Sequence, residues 1–317
     1  MSDRILPATD RVIARAADLL HSGGLVAMPT ETVYGLAADA TNEEAVVSIY
    51  EAKGRPRFNP LIAHLADAES AFAQGVFSAS ARALADAFWP GPLTLVVDAN
   101  ESTSVCDLAR AGLPTLALRV PDHPVARRLL EAFGGPLVAP SANLSGHISP
   151  TTAAHVDNDL GEALKMILDG GPCESGLEST VIDARGDRPA LLRPGTISPE
   201  DIEAIWPGLI RPETNPDAPT SPGQLLRHYA PHARLRLNAT EPKPDEAYVA
   251  FGPNAPAKAA ANLSPDGDLA EAAASLFRLL RTLDLNHDAI AVAPIPNTGI
   301  GEAINDRLRR AAEKDDA

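Results

Sequence analysis

Lys53, Arg55 and Arg57 fall within five residues, at the head of the string KGRPRFNPLIAH (53–64). A glycine that tolerates a tight turn and a proline that fixes φ set the backbone between them. The formal net charge of the whole chain is −15, so a local concentration of cations suits a small polyanion, and a triphosphate best. A bare K-x-R-x-R is equally compatible with a solvated loop; its companions along the chain decide the matter. Because loop cations contribute little to packing, Lys53→Ala or Arg55→Ala is expected to cripple turnover and spare the fold.

Those companions carry polar groups without strong bases. PTETVYGL (29–36) offers two hydroxyls and a carboxylate on a turn, suited to a polar ligand or to the turn's own backbone. PSANLS (140–145) offers short hydroxyl and amide groups that bind phosphate oxygens or a base edge, and that also cap helices. GGPCESGLEST (170–180) is glycine-rich but has neither the G-x-x-x-x-G-K-[ST] nor the G-x-G-x-x-G spacing, so a nucleotide site here is of another kind. Arg119 and Arg193 each precede a proline closely, where a guanidinium can clasp a carboxylate or phosphate with two prongs or form a surface ion pair. WPGPLT (89–94) reads as an architectural turn into a strand. No hydrolytic triad is evident. His228 and His232 lack a cysteine or carboxylate cluster, which argues against structural zinc.

These residues need strands and turns to hold them. Helical periodicity covers Asp10–Ser22, with Asp10 as N-cap, then Asn42–Ala52, Ser80–Phe88 and His123–Phe133. Strand-like runs lie at Leu25–Met28, Leu61–Leu65, Leu93–Val97, Thr115–Val120, Leu137–Ala139, Met166–Leu168 and Thr180–Asp183. Alternation of this kind predicts an α/β domain over 1–205 with a twisted sheet. From Trp206 to Pro231 six prolines interrupt any period, predicting a semi-rigid connector or lid over 206–232. Strands at Arg234–Leu237, Ala247–Phe251 and Ala289–Ala293, with helices at Leu269–Leu283 and Glu302–Ala312, predict a smaller α/β unit over 233–317. Aromatics at 4% make stacking on single-stranded nucleic acid an unpromising function. Two cysteines, an N-terminus without an apolar core and no apolar run of membrane length point to a soluble cytoplasmic protein.

Taken together, the strings resemble the threonylcarbamoyl-AMP synthase family in its long form, a YrdC-like domain with an appended C-terminal domain. The resemblance rests on PTETVYGL, KGRPRFNPL with His64, WPGPLT, ALRVPDHP (117–124), APSANLSG (139–146), GLESTVID (176–183), LLRPG (191–195) and SPGQLLRHYAP (221–231), and the terminal GIGEAINDRLRRAA (299–312) extends it. The order is collinear and spans nearly the whole chain. Ala37, where a glycine is common, departs from the pattern and bears on local turn geometry only.

The resemblance implies a YrdC-like twisted mixed sheet with flanking helices, a Rossmann-like C-terminal unit, and a nucleotidyltransferase activity. L-threonine, bicarbonate or CO2, and ATP with Mg2+ would give threonylcarbamoyl-AMP and pyrophosphate for tRNA modification. It assigns Thr32, His64, Arg119 and Ser179 to threonine. Lys53, Arg55, Asn59, Ser141, Asn143, Ser149, Arg193 and Tyr229 go to ATP, with Thr115 as a further nucleotide candidate; Lys53 and Arg55 are the catalytic cations. A downstream tRNA-modifying transferase complex is the implied partner, with at most weak direct tRNA binding and no membrane. Two other readings stand beside it: a non-catalytic RNA-binding factor, which the charge of −15 disfavours, and a carbamoyl-adenylate-forming maturation factor, whose relatives carry cysteine-rich zinc fingers.

Overall fold

The computed structural model describes residues 2–56, 58–212 and 229–313. Arg57 and most of the proline-rich connector lie outside these residues. The first unit begins with β1 (Ile5–Pro7), α1 (Asp10–His21), β2 (Val26–Met28), β3 (Gly35–Asp39), α2 (Glu43–Lys53) and β4 (Ile62–His64). It continues through α3 (Ala68–Phe72), β5 (Gly75–Val76), α4 (Ala79–Phe88), β6 (Leu93–Ala99), β7 (Thr115–Arg119) and α5 (Pro124–Phe133). It ends with β8 (Leu137–Val138), α6 (Ala153–Leu160), β9 (Ile167–Asp169), β10 (Thr180–Asp183), β11 (Ala190–Arg193) and α7 (Pro199–Ile205). The second unit comprises β12 (Arg234–Arg236), β13 (Ala247–Ala250), β14 (Ala261–Asn262), α8 (Leu269–Asp284), β15 (Ala289–Val292) and α9 (Gly301–Ala312).

The first unit is one twisted mixed sheet of eleven strands, ordered β1-β9-β2-β3-β8-β4-β7-β6-β10-β11, with β5 joined to β6. Parallel pairs such as β4 with β7 and β6 with β10 alternate with antiparallel ones, so strand ends from distant parts of the chain meet at one edge. Local capping sets the helices. Thr9, rather than Asp10, caps α1 by accepting from Val12 N, while Asn42, Ser78 and His123 cap α2, α4 and α5. The Trp89–Pro90 peptide is cis, inside the turn read as architectural.

Helices α1 and α5 cover one face of the sheet through Leu20, Leu129 and Phe133, packed on Val26 and Met28. The opposite face packs on α2 and α4 through Ile49, Tyr50 and Leu84. At the far half, Ile62, Val96, Ala117, Val181 and Leu192 form a small separate cluster on neighbouring strands. Ile62 of that patch faces the cavity described below.

The second unit is a four-stranded sheet, all parallel, ordered β12-β15-β13-β14, backed by α8 and α9. Its core takes in Val33, Ile148 and Leu177 from the first unit, so the two units share packed side chains. Gly176 makes the close approach possible. Its φ is +70°, and a Cβ there would lie 2.6 Å from Ala274 Cα on α8. No helix among the described residues is long and apolar enough to cross a membrane.

Candidate active site

A cavity lies between the strand ends of the first unit and Tyr229, at the end of the connector. Eight of the residues expected at the site line it: Thr32, Arg55, His64, Arg119, Ser141, Ser179, Arg193 and Tyr229. Backbone register explains the convergence. His64 ends β4 and pairs with Arg119 at the end of β7, while Ser179 precedes β10 and Arg193 ends β11, paired with Val181.

Arg119 is 4% exposed and gives a hydrogen bond from each of its nitrogens. Nε donates to Gly91 O at 3.3 Å, Nη1 to Thr32 Oγ1 at 3.0 Å and Nη2 to Glu31 Oε1 at 2.6 Å. A guanidinium carries five N–H groups, so one remains on each terminal nitrogen for a carboxylate. Burial, and then the charge of Arg119, push His64 down to about 3, so its ring is neutral at neutral pH. Its Nδ1 lies 3.2 Å from the Ile62 carbonyl, which can only accept, so Nδ1 carries the proton. This end of the cavity suits a small zwitterion or carboxylate.

The other end is richer in cations. Arg193 donates from Nε and Nη2 to Ser179 O, at 3.2 and 2.9 Å, and from Nη2 to Ser179 Oγ at 3.1 Å. Ser179 Oγ also meets Thr94 Oγ1 at 2.7 Å, so this serine sits between the two ends. Arg55 is held by the carbonyls of Asn59 and Pro60, at 3.4 and 3.0 Å. Burial pushes it down to about 10, with Tyr50 and Tyr229 opposing, and it stays protonated at neutral pH. Gly195 fixes the approach of the LLRPG segment, since a Cβ there would lie 2.3 Å from Thr180 N and 2.5 Å from Ser179 C. Tyr229, 1% exposed with a φ of 65°, closes this end while stacking on Phe277 of α8 at 5.5 Å between ring centroids. Ala230 N donates to Gly146 O at 2.8 Å, which binds the end of the connector to the SANLSG loop.

Five expected residues do not line the cavity. Lys53 is the last residue of α2, 2% exposed, and its Nζ donates to the carbonyls of Ser141 and Asn143, 2.5 Å each. Burial, and then the charge of Arg55, hold it well below the usual lysine range. The expectation that Lys53 and Arg55 project from a packing-neutral loop is therefore corrected: both are buried and tie loops together. Asn59 and Asn143 are 1% exposed, each with a buried Oδ1 that meets no partner among the described residues. The hydroxyl of Ser149 donates to Glu178 Oε1. Thr115 lies at the start of β7, four residues from Arg119, about 13 Å along a strand at roughly 3.3 Å per residue. Sequence reasoning passed over Glu178, which lines the cavity, and it took the Glu31 carboxylate as a ligand or turn group rather than as the residue that orients Arg119. Both stand inside recognised strings, PTETVYGL and GLESTVID, but a carboxylate in a polyanion site carries no sequence-level signal of its own.

Residues 18–195 match the Sua5/YciO/YrdC family model, described as telomere recombination, and residues 197–313 match the model of the threonylcarbamoyl-AMP synthase C-terminal domain. The threonylcarbamoyl-AMP synthase of Bacillus subtilis is 42% identical over 97% of this chain and 94% of its own length. The chain belongs to the threonylcarbamoyl-AMP synthase family. Members of this family are enzymes of the nucleotidyltransferase type. A solved structure of Pyrococcus abyssi Sua5 complexed with L-threonine superposes with a TM-score of 0.88 at 37% identity, covering 97% of this chain and 96% of that one. A shorter relative, a putative threonylcarbamoyl-AMP synthase of Mycobacterium tuberculosis, is 42% identical over 62% of this chain and 89% of its own. Both the YrdC-like sheet and the appended unit are thus features of the family's long form.

Proposed function

We propose that this chain is an L-threonylcarbamoyladenylate synthase, working in the cytoplasm. The observation that carries the reading is one cavity with a carboxylate clasp at one end, Arg119 with Thr32, and two further guanidiniums, Arg55 and Arg193, at the other. L-threonine would sit with its carboxylate on the two spare N–H groups of Arg119, its hydroxyl and amine facing His64 and Ser179. Neutral His64 has its Nε2 lone pair available to accept a hydrogen bond there.

The threonine amine takes up CO2 and loses a proton, giving a carbamate. A carbamate oxygen then attacks the α-phosphorus of ATP, a P–O bond forms, and the bond to pyrophosphate breaks. The nucleophile is already anionic, so the step needs no strong general base. What it needs is positive charge where phosphate charge builds up, and buried guanidiniums supply it at no reorganisation cost. Magnesium would come with ATP and would supply further positive charge at its phosphates; the amide oxygens of Asn143 and Asn59, which meet no partner among the described residues, are hard donors of the kind that would hold it. The product, kept from water under Tyr229, would pass to a tRNA-modifying transferase complex.

The test is pyrophosphate release from ATP with magnesium and bicarbonate, with and without L-threonine. Threonine-dependent release with formation of a threonine-bearing adenylate is expected. Release that ignores threonine, or none at all, sinks the reading.

A further inference from the structure

A cavity built for a polyanion here has a carboxylate in its wall. Glu178 lines it at 7% exposure. A bare carboxylate there would be costly to bury and would repel phosphate. The neutralising charge comes from 129 residues away. Arg307, on α9 of the second unit and 1% exposed, donates from Nε to Glu178 Oε2 at 2.8 Å. Its Nη1 donates to Asp306 at 2.7 Å, and its guanidinium lies 5.1 Å from the centroid of the Tyr229 ring. One arginine therefore touches both an acid and an aromatic that face the cavity.

The remaining partners of Glu178 complete the arrangement. Ser149 donates to its other oxygen. Burial alone would raise the Glu178 carboxyl, but Arg307, then Arg193, then the Ser149 bond hold it below the usual carboxylate range. Arg193 is thus the other guanidinium close enough to act on Glu178. It is also the cation proposed above to meet phosphate.

We propose that Arg307 is a positioning residue of the nucleotide subsite: by neutralising Glu178 and backing Tyr229 it leaves Arg193 free for phosphate, and so makes polyanion binding conditional on the docked second unit. The proposal rests on the ATP-binding reading above. Without Arg307, Glu178 would draw on Arg193, and the cavity would lose a net positive charge at the place where the triphosphate must sit. The appended unit then has a chemical role at the site as well as a packing one.

Titrations of the full chain with ATP and magnesium, and separately with L-threonine, test this in the wild type, Arg307→Met, Glu178→Gln and the double variant, with thermal melts to confirm folding. Arg307→Met is expected to weaken ATP binding at least about ten-fold and threonine binding less than about three-fold. Adding Glu178→Gln should bring ATP affinity back to within about three-fold of wild type, since a neutral amide needs no counter-cation. Should Arg307→Met not fold, Glu178→Gln alone decides: a surplus cation should tighten ATP binding, and weakened binding overturns the proposal. Unchanged ATP affinity in Arg307→Met, or a double variant as weak as the single, overturns it too and leaves Arg307 with a purely structural role. Wild-type protein that binds no ATP overturns the underlying reading as well; wild-type binding with an indifferent Arg307→Met overturns this inference alone.

Discussion

At the scale of single residues, Arg119 and Lys53 show two ways of using a buried cation. Arg119 is pre-oriented by Gly91, Thr32 and Glu31, so it can take a carboxylate without first losing rotamer freedom. Arg119→Ala should raise the KM for threonine by about a hundred-fold and that for ATP by less than about three-fold, as expected for loss of a two-pronged charged contact. Equal losses of both would contradict the division of the cavity. Lys53 instead holds the SANLSG loop by two backbone carbonyls. Lys53→Met leaves two buried acceptors unmet, at about 1–3 kcal/mol each, so urea unfolding should shift markedly alongside activity. An unshifted midpoint with lost turnover would return Lys53 to direct contact with substrate. His64 sets a pH signature. Its folded pKa of about 3 lies below the usual 6.5, so the unfolded chain takes up a proton first as pH falls. Its contribution is complete above pH 6.5 and declines from there towards pH 3, by up to about 1.4 kcal/mol per pH unit. His64→Gln should flatten that part of the stability profile, and an unchanged slope would mean that His64 titrates normally.

At the scale of elements, the site depends on backbone segments that approach each other very closely. Gly195→Ala would drive a methyl into the peptide joining Ser179 and Thr180. It should cost about 1–3 kcal/mol and weaken ATP binding as Arg193 shifts, measurable by denaturation and titration together; wild-type values for both would show that the loop relaxes freely. The same closeness explains which elements could be read in the sequence. Helix α5 was legible because Pro124 starts it and Val125, Ala126, Leu129, Leu130 and Phe133 make one apolar stripe. Strand β3 was not, because nearly all of Gly35–Asp39 is buried on both faces and shows no alternation. Helix α6 has only eight residues and three buried side chains, too few for a period to stand out. Most of the residues that line the cavity were legible as parts of ordered strings, since each string is a strand end with its loop. The Glu178–Arg307 pair was not, because nothing in a sequence states that two residues on different units meet. One trace existed: Arg307 falls inside the apolar stripe of α9, between Ala303, Ile304, Leu308 and Ala311, where an unpaired arginine would be untenable.

At the scale of the whole molecule, an acidic protein surrounds a cationic cavity, walled by the first unit and Tyr229 and backed by Arg307 of the second. Arg281 on α8 carries much of the docking, binding both Asp159 oxygens, at 2.9 and 2.6 Å, and reaching the carbonyls of Ile148 and Ser149. Arg281→Ala should destabilise the chain by about 1–3 kcal/mol and split one calorimetric transition into two, since that pair is largely shielded from water. A single transition at the wild-type temperature would show that apolar packing alone joins the units. The placement of Glu178 also has a bearing on descent. A lineage that discarded its C-terminal unit would strand an acid in its own phosphate pocket, so truncation and replacement at that position are expected to travel together. Short-form relatives should therefore bear an uncharged residue where this chain has Glu178, and a glutamate retained there would need a local cation that long-form chains have no cause to keep.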